Sequence, residues 1–85
     1  MKITYFWGPH CEPCKSVGPI VEQVAQSHNC TLTKVNAEAE PAAAARYGVR
    51  GLPTIHVEID FDPVVVFVGG SSGVKLAEYM QEHTK

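Results

Sequence analysis

Apolar and polar positions along the chain change period several times, and each change marks an element. Lys2 to Trp7 crowds Ile3, Tyr5, Phe6 and Trp7 together and halts at Gly8-Pro9, which reads as a buried strand. From Cys11 to about His28, the residues Val17, Ile20, Val21, Val24 and Ala25 fall at i, i+3, i+4, i+7 and i+8, the stripe of an amphipathic helix. Pro13 suits the first turn of that helix, where its missing N–H is no loss; Pro19 lies deeper and is expected to bend the helix after Gly18. Thr31 to Asn36 is a second strand. Glu40-Pro41 opens a short alanine-rich helix that Gly48 ends. Thr54 to Ile59 alternates Ile55, Val57 and Ile59 with His56 and Glu58, and Val64 to Val68 is a continuous apolar run. Separated by Asp60-Phe61-Asp62-Pro63, these two read as a hairpin. Beyond Gly69-Gly70, Ser71 or Ser72 can cap a last helix with Val74, Ala77 and Met80 on one side.

The order β-α-β-α-β-β-α begins with a strand, a crossover helix and a strand, which implies a parallel pair joined right-handedly, and ends with an antiparallel hairpin. An α/β fold with a mixed sheet covered by helices follows. With 85 residues, one domain spanning 1–85 is expected, since little is left over for a second core. An apolar content of 45% and a charged content of 19% fit a folded soluble chain. The net charge of −2 is scattered, with no Lys/Arg cluster to neutralise phosphates, which excludes nucleic acid and anionic membranes as expected partners. No stretch is long enough to span a bilayer, and Met1-Lys2-Ile3-Thr4-Tyr5 lacks the features of a secretory signal. A cytoplasmic address is the expectation.

Against that background the cysteines stand out. Cys11, Cys14 and Cys30 are an odd number, unlike a fully paired secreted scaffold, and the close pair in a reducing compartment reads as chemistry. Cys11-Glu12-Pro13-Cys14 is a C-x-x-C at the start of a helix in a βαβ context. Unpaired N–H groups and the positive end of the helix dipole stabilise a thiolate there, so Cys11 is the expected nucleophile. Cys14, one turn inside on the Val17 side, is more shielded and acts second. Glu12 disfavours the Cys11 thiolate modestly, a protonated His10 favours it, and Lys15 is a solvated side chain with a minor field effect. A zinc site would need four ligands, and only Cys30 and dispersed histidines remain to supply them, so no metal is expected. A purely structural disulfide suits a cytoplasmic chain poorly. Cys30 is most simply a small semi-buried residue, with a regulatory thiol as the alternative, and His28, His56 and His83 read as surface or rim residues.

The chain resembles the thioredoxin family over nearly its whole length. Phe6-Trp7-Gly8-Pro9-His10-Cys11-Glu12-Pro13-Cys14-Lys15 looks like the family's strand, active-site loop and helix start, with Pro19 at its kink. Lys34-Val35-Asn36 is similar to its next strand. Tyr47-Gly48-Val49-Arg50-Gly51-Leu52-Pro53-Thr54 looks like its cis-proline loop, and Val68-Gly69-Gly70 like its glycine turn before the final helix. The resemblance implies a minimal thioredoxin-like fold, a four-stranded mixed sheet flanked by three helices. It also implies that Pro53 is cis and lies against the Cys11/Cys14 pair, with the Leu52 backbone bonding an extended substrate segment. Trp7, His10, Glu12, Gly69 and Gly70 would complete that groove, which suits extended protein loops.

The departures are equally specific. A full-length thioredoxin has a further strand and helix before the Tyr5-Phe6-Trp7 strand, so the chain resembles a trimmed core whose sheet edge needs protection. His10 stands where the family usually has tryptophan, and Glu12 where it has glycine between the cysteines. The family's buried aspartate aligns with Tyr5, its lysine neighbour with Lys34, so that water, Lys34 or Glu12 would have to relay the Cys14 proton.

The expected function is that of a protein-disulfide reductase with no bound cofactor, built on a redox-active Cys11–Cys14 disulfide. The resemblance implies that a thioredoxin reductase-like flavoenzyme recharges it with electrons from NADPH. Disulfide-containing proteins would be its partners, ribonucleotide reductase among them, and a monomer is expected. One alternative is a glutaredoxin-like protein recharged by glutathione, which Gly69-Gly70-Ser71-Ser72 suits but Leu52 and Pro13 do not. Another is a non-catalytic thioredoxin-fold binding module, which the joint presence of both cysteines, Pro13 and Pro53 disfavours.

Overall fold

The strand richest in large apolar residues takes the centre of the sheet. In a computed structural model describing residues 1–83, the elements are β1 (Lys2–Trp7), α1 (Glu12–Ser27), β2 (Thr31–Asn36), α2 (Pro41–Arg46), β3 (Thr54–Glu58), β4 (Val65–Val68) and α3 (Ser72–His83). Their order in the sheet is β2-β1-β3-β4. β1 runs parallel to β2, with Trp7 opposite Asn36, and antiparallel to β3, which forms a hairpin with β4. The expected topology and the four-stranded mixed sheet with three helices are therefore both present.

Helices lie on both faces, which is why β1 is buried on both. Ile3 and Tyr5 join Val17, Val21, Val24 and Ala25 of α1 and Leu76 and Met80 of α3 in the main core. On the other face the fully buried Phe6 packs its ring against Tyr47, at the end of α2, and against His56 of β3, with centroids 5.2 Å away in each case. Burial pushes the His56 pKa down, so the neutral ring is the form this cluster favours. β4 is an edge strand: Phe67 leans toward the core while Val66 and Val68 remain exposed, so its unbroken apolar run is buried on one face only.

Two helix ends are closed by the same device. Gly48, at φ 74°, follows Tyr47; its N–H bonds Ala45 O, and Val49 N–H returns to Ala44 O. Asn29, at φ 54°, does the same for α1, with Asn29 N–H on Gln26 O and Cys30 N–H on Ala25 O. Both are Schellman closures, in which the residue after the left-handed one makes an apolar contact back onto the helix. Cys30 fills that place and packs against the core, and burial pushes its thiol pKa up. Its setting is that of a packing residue, as the sequence suggests.

The last helix departs from expectation. Val74 points outward at 57% exposure, and the buried stripe is instead Gly73, Leu76 and Met80, with Ala77 at its margin. The cause is the close approach of α3 to α1: a Cβ on Gly73 would sit 3.2 Å from Ile20 Cδ1, so this face begins with a residue that has no side chain. Ser72 is fully buried and its hydroxyl has no hydrogen-bond partner, so it fills space rather than capping the helix. Replacing Leu76 by Ala should lower the unfolding free energy by about 2–5 kcal/mol in urea titrations. Val74→Ala should change it by no more than about 0.5 kcal/mol; equal effects would contradict this assignment of faces.

Candidate active site

The site forms where β1 ends and α1 begins. Gly8 and Pro9 end the strand, Cys11 N–H bonds Gly8 O at 3.2 Å, and Cys11 becomes the residue immediately preceding α1, with extended backbone at φ −100° and ψ 105°. In that position its side chain acts as the helix cap: Cys14 N–H donates to Cys11 Sγ at 3.2 Å. A sulfur thus takes the place usually held by a serine or aspartate oxygen. Pro13, inside the first turn, has no N–H to leave unpaired. The Cα atoms of Cys11 and Cys14 are 5.3 Å apart and their sulfurs form a disulfide, with Cys11 partly exposed and Cys14 buried.

Tyr5 supports the inner cysteine from below. Its hydroxyl donates to Cys14 O at 3.1 Å, and Gly18 leaves room for the ring beside the helix. Burial, and after it the charge of Glu22, push the Tyr5 pKa up, so this phenol is held as a neutral donor. Pro19, inside α1, has no N–H to offer the Lys15 carbonyl one turn earlier.

The outer rim carries a partner that the sequence reading missed. Glu38 accepts His10 N–H at 3.0 Å with one carboxylate oxygen and faces His10 Nδ1 at 2.7 Å with the other. Parallel pairing brings Asn36 beside Trp7; the Asn36 side chain then accepts the Glu38 and Ala39 N–H groups, each at 3.1 Å, and turns the chain back over Gly8-Pro9-His10. A Cβ at Gly8 would run into the Glu38 carboxylate. The only trace of this in the sequence is the strand register, since a glutamate 28 residues away has no local signature. The hydrogen bond to Glu38, and then its charge, raise the His10 pKa, while the same bond lowers that of Glu38. The His10 charge beside Cys11 therefore arrives already paired, which weakens its field on the sulfur.

Among the other expected site residues, Glu12 is exposed and bound to Lys15 Nζ at 2.8 Å, so it faces solvent rather than Cys14. Lys34 donates to Glu22 of α1, a second glutamate that the sequence reading did not single out. Trp7 is partly buried and lines a cleft together with Cys14. The Leu52–Pro53 peptide is cis, Pro53 is fully buried, and Gly69 N–H bonds Pro53 O at 3.0 Å. Gly70 follows, where a methyl group would be 3.7 Å from Pro13 Cβ, so the glycine turn lies alongside the cysteine loop. His28 closes the far end of α1, and His83 stacks on Tyr79 with centroids 4.0 Å apart, both away from the pair. Among the described residues, no group of three or more His, Cys, Asp or Glu is placed to hold a metal ion.

An exposed-to-buried pair of sulfurs closing the start of a helix, able to hold or surrender one disulfide, defines a thiol–disulfide oxidoreductase. The family model described as Thioredoxin matches residues 1–82. Over 80 residues the chain is 35% identical to thioredoxin 1 of Synechococcus elongatus, covering 92% of this chain and 75% of that one. It is 33% identical to the thioredoxin of Staphylococcus epidermidis over 85 residues, 98% of this chain and 82% of the relative. Among solved structures, Fasciola hepatica thioredoxin superposes with a TM-score of 0.81 at 30% identity, covering 96% of this chain and 79% of that one. A mutant thioredoxin from Halobacterium salinarum gives 0.83 at 28% identity, covering 99% and 74%. The chain belongs to the thioredoxin family. It is a protein-disulfide reductase working by dithiol exchange through Cys11 and Cys14, with disulfide-containing proteins as substrates and a thioredoxin reductase as partner. No helix among the described residues is long and apolar enough to cross a membrane.

The His10–Glu38 pair has a defined pH window. A raised histidine pKa favours the folded state below the ordinary value of 6.5 and loses that effect as pH rises through the folded value. A lowered glutamate pKa favours it above 4.5 and loses it as pH falls through the folded value. In an NMR titration the His10 ring should therefore titrate above 6.5, and Glu38→Gln should move its midpoint down. An unchanged midpoint would contradict the pairing.

Proposed function

We propose that Cys11 is the nucleophile and Cys14 the resolving thiol of a reductase for disulfides in partner proteins, and that residues 1–85 do this as one domain. The observation that carries the assignment is the Cys14 N–H bonded to Cys11 Sγ at the positive end of α1, which favours negative charge on the outer sulfur. In the reduced protein, Cys11 thiolate attacks one sulfur of the client disulfide and releases the other as a thiolate. Cys14 then attacks Cys11 Sγ, the Cys11–client bond breaks, the client sulfur leaves with the electron pair, and the Cys11–Cys14 bond closes.

The groove for an extended client segment would run past Leu52 and Pro53, with Trp7, His10, Glu12, Gly69 and Gly70 around it. Support comes from a depression of about 250 Å³ beside Leu52, lined by Ala37, Ala44, Val49 and Arg50, which has room for an apolar client side chain. The electrons come from NADPH through the reductase, ribonucleotide reductase is among the clients, and the compartment is the cytoplasm, where such thiols stay reduced.

In an insulin-reduction assay driven by dithiothreitol, Cys11→Ser should lose about a hundredfold or more of the wild-type rate. NADPH with a thioredoxin reductase should sustain turnover, and glutathione should not. Equal rates for wild type and Cys11→Ser would overturn the enzymatic reading; turnover with glutathione alone would make the protein glutaredoxin-like.

A further inference from the structure

The assignment of Cys14 as the resolving thiol, on which this inference rests, leaves one proton without a destination. A thiol attacks a disulfide only as its thiolate, and Cys14 is just 6% exposed. Neither acid at the outer rim is placed to take that proton: Glu38 lies over His10 and Glu12 faces solvent beside Lys15, and neither lines the cleft that Cys14 opens onto.

On the inner side of Cys14 a cleft of about 250 Å³ opens between α1, β1 and β2, and its walls include Tyr5, Trp7, Cys14, Glu22 and Lys34. Cys14, Gly18 and Glu22 stand at i, i+4 and i+8, along one row of the helix surface. Gly18 puts no side chain of its own between the other two, and the Tyr5 hydroxyl stands there instead, 3.5 Å from where a Cβ would be; helical side chains lean toward the N-terminus, which tilts Glu22 toward it. Lys34, reaching across from β2, donates to the Glu22 carboxylate and holds it at the cleft. Tyr5, facing from β1, already donates its proton to Cys14 O, and burial followed by the Glu22 charge keep it protonated. The charged or titratable groups facing this space are thus Glu22 and Cys14 from α1, Lys34 from β2 and Tyr5 from β1, and Glu22 is the one base among them. Eight residues of helix, roughly 12 Å, separate Cys14 from Glu22 along the axis, so transfer needs water. At about 30 Å³ per molecule the cleft has room for several.

We propose that Glu22 is the proton acceptor for Cys14 during resolution of the mixed disulfide, acting through water in this cleft, with Lys34 as the positioning residue. The proton passes from Cys14 Sγ to water and from water to the Glu22 carboxylate, while the electron pair left on Cys14 forms the bond to Cys11 Sγ. The client sulfur departs as a thiolate, and the proton returns to solvent from the half-exposed Glu22. Oxidation of the Cys11/Cys14 pair balances reduction of the client disulfide.

A single-turnover stopped-flow reaction of the reduced protein with Ellman's reagent separates the steps, since one nitrothiobenzoate leaves when Cys11 attacks and the second when Cys14 resolves. Glu22→Gln should leave the first phase unchanged and slow the second about tenfold near pH 6, the gap closing toward pH 9 as hydroxide takes over. Glu22→Asp should fall between the two, and added formate should restore the second phase of Glu22→Gln. A second phase within about twofold of wild type at every pH would overturn the proposal by assigning the proton to bulk solvent. A uniform slowing that formate does not relieve would overturn it by making Glu22 merely structural. A wild-type protein that releases only one nitrothiobenzoate would fail differently, removing the resolving role of Cys14 itself.

Discussion

The first turn of a helix leaves backbone N–H groups short of helical partners, and here the Cys14 N–H is shared between the Cys11 carbonyl oxygen and the Cys11 sulfur, each at 3.2 Å. The bond to sulfur requires Cys11 to be extended and Cys14 to be helical, which fixes the distance between the two sulfurs and the direction of the field acting on them. It also divides the labour: the sulfur outside the helix feels the unpaired donors, and the one inside is screened by protein.

Much of the fold serves to hold that junction still. β1 is buried on both faces, so its end at Trp7 is a fixed point, and Tyr5, two residues earlier, fastens the first turn of α1 through Cys14 O. The other end of α1 is locked by Asn29 and by Cys30 packing back onto the core. On the far side, the bond from Gly69 N–H to Pro53 O joins the cis-proline loop to the glycine turn beside Pro13. Three chain segments distant in sequence therefore meet at one end of the sheet because β1 lies between β2 and β3. The chemistry asks little more of the protein than a steady geometry, since the electrons move between sulfurs.

What could be read in advance divides along physical lines. β1, β2, the cysteine-bearing helix and the closure at Gly48 depend on local patterns, and these appear at or within a residue or two of their expected limits. Val74 faces outward because the close approach of Gly73 to Ile20 sets which face of α3 is buried, and an apolar residue on a helix does not by itself reveal that face. Val66 and Val68 likewise sit on an edge strand whose outer face a run of valines cannot reveal. The cysteines and Pro53 announce themselves as residue types. Glu38 and Glu22 do not, because each meets its partner across the β1–α1–β2 crossover; the Cys14, Gly18, Glu22 row became legible once the neighbouring strand was in place.

The electrostatic claim can be measured without any client. The reduced protein, alkylated with iodoacetamide across a range of pH and mapped by mass spectrometry, reports which sulfur ionises first. Cys11 should react first, with a midpoint clearly below the free-cysteine value of about 8.5, and Cys14 should lag behind it. Titration of Cys11 at or above that value, or with Cys14 reacting ahead of it, would contradict the account.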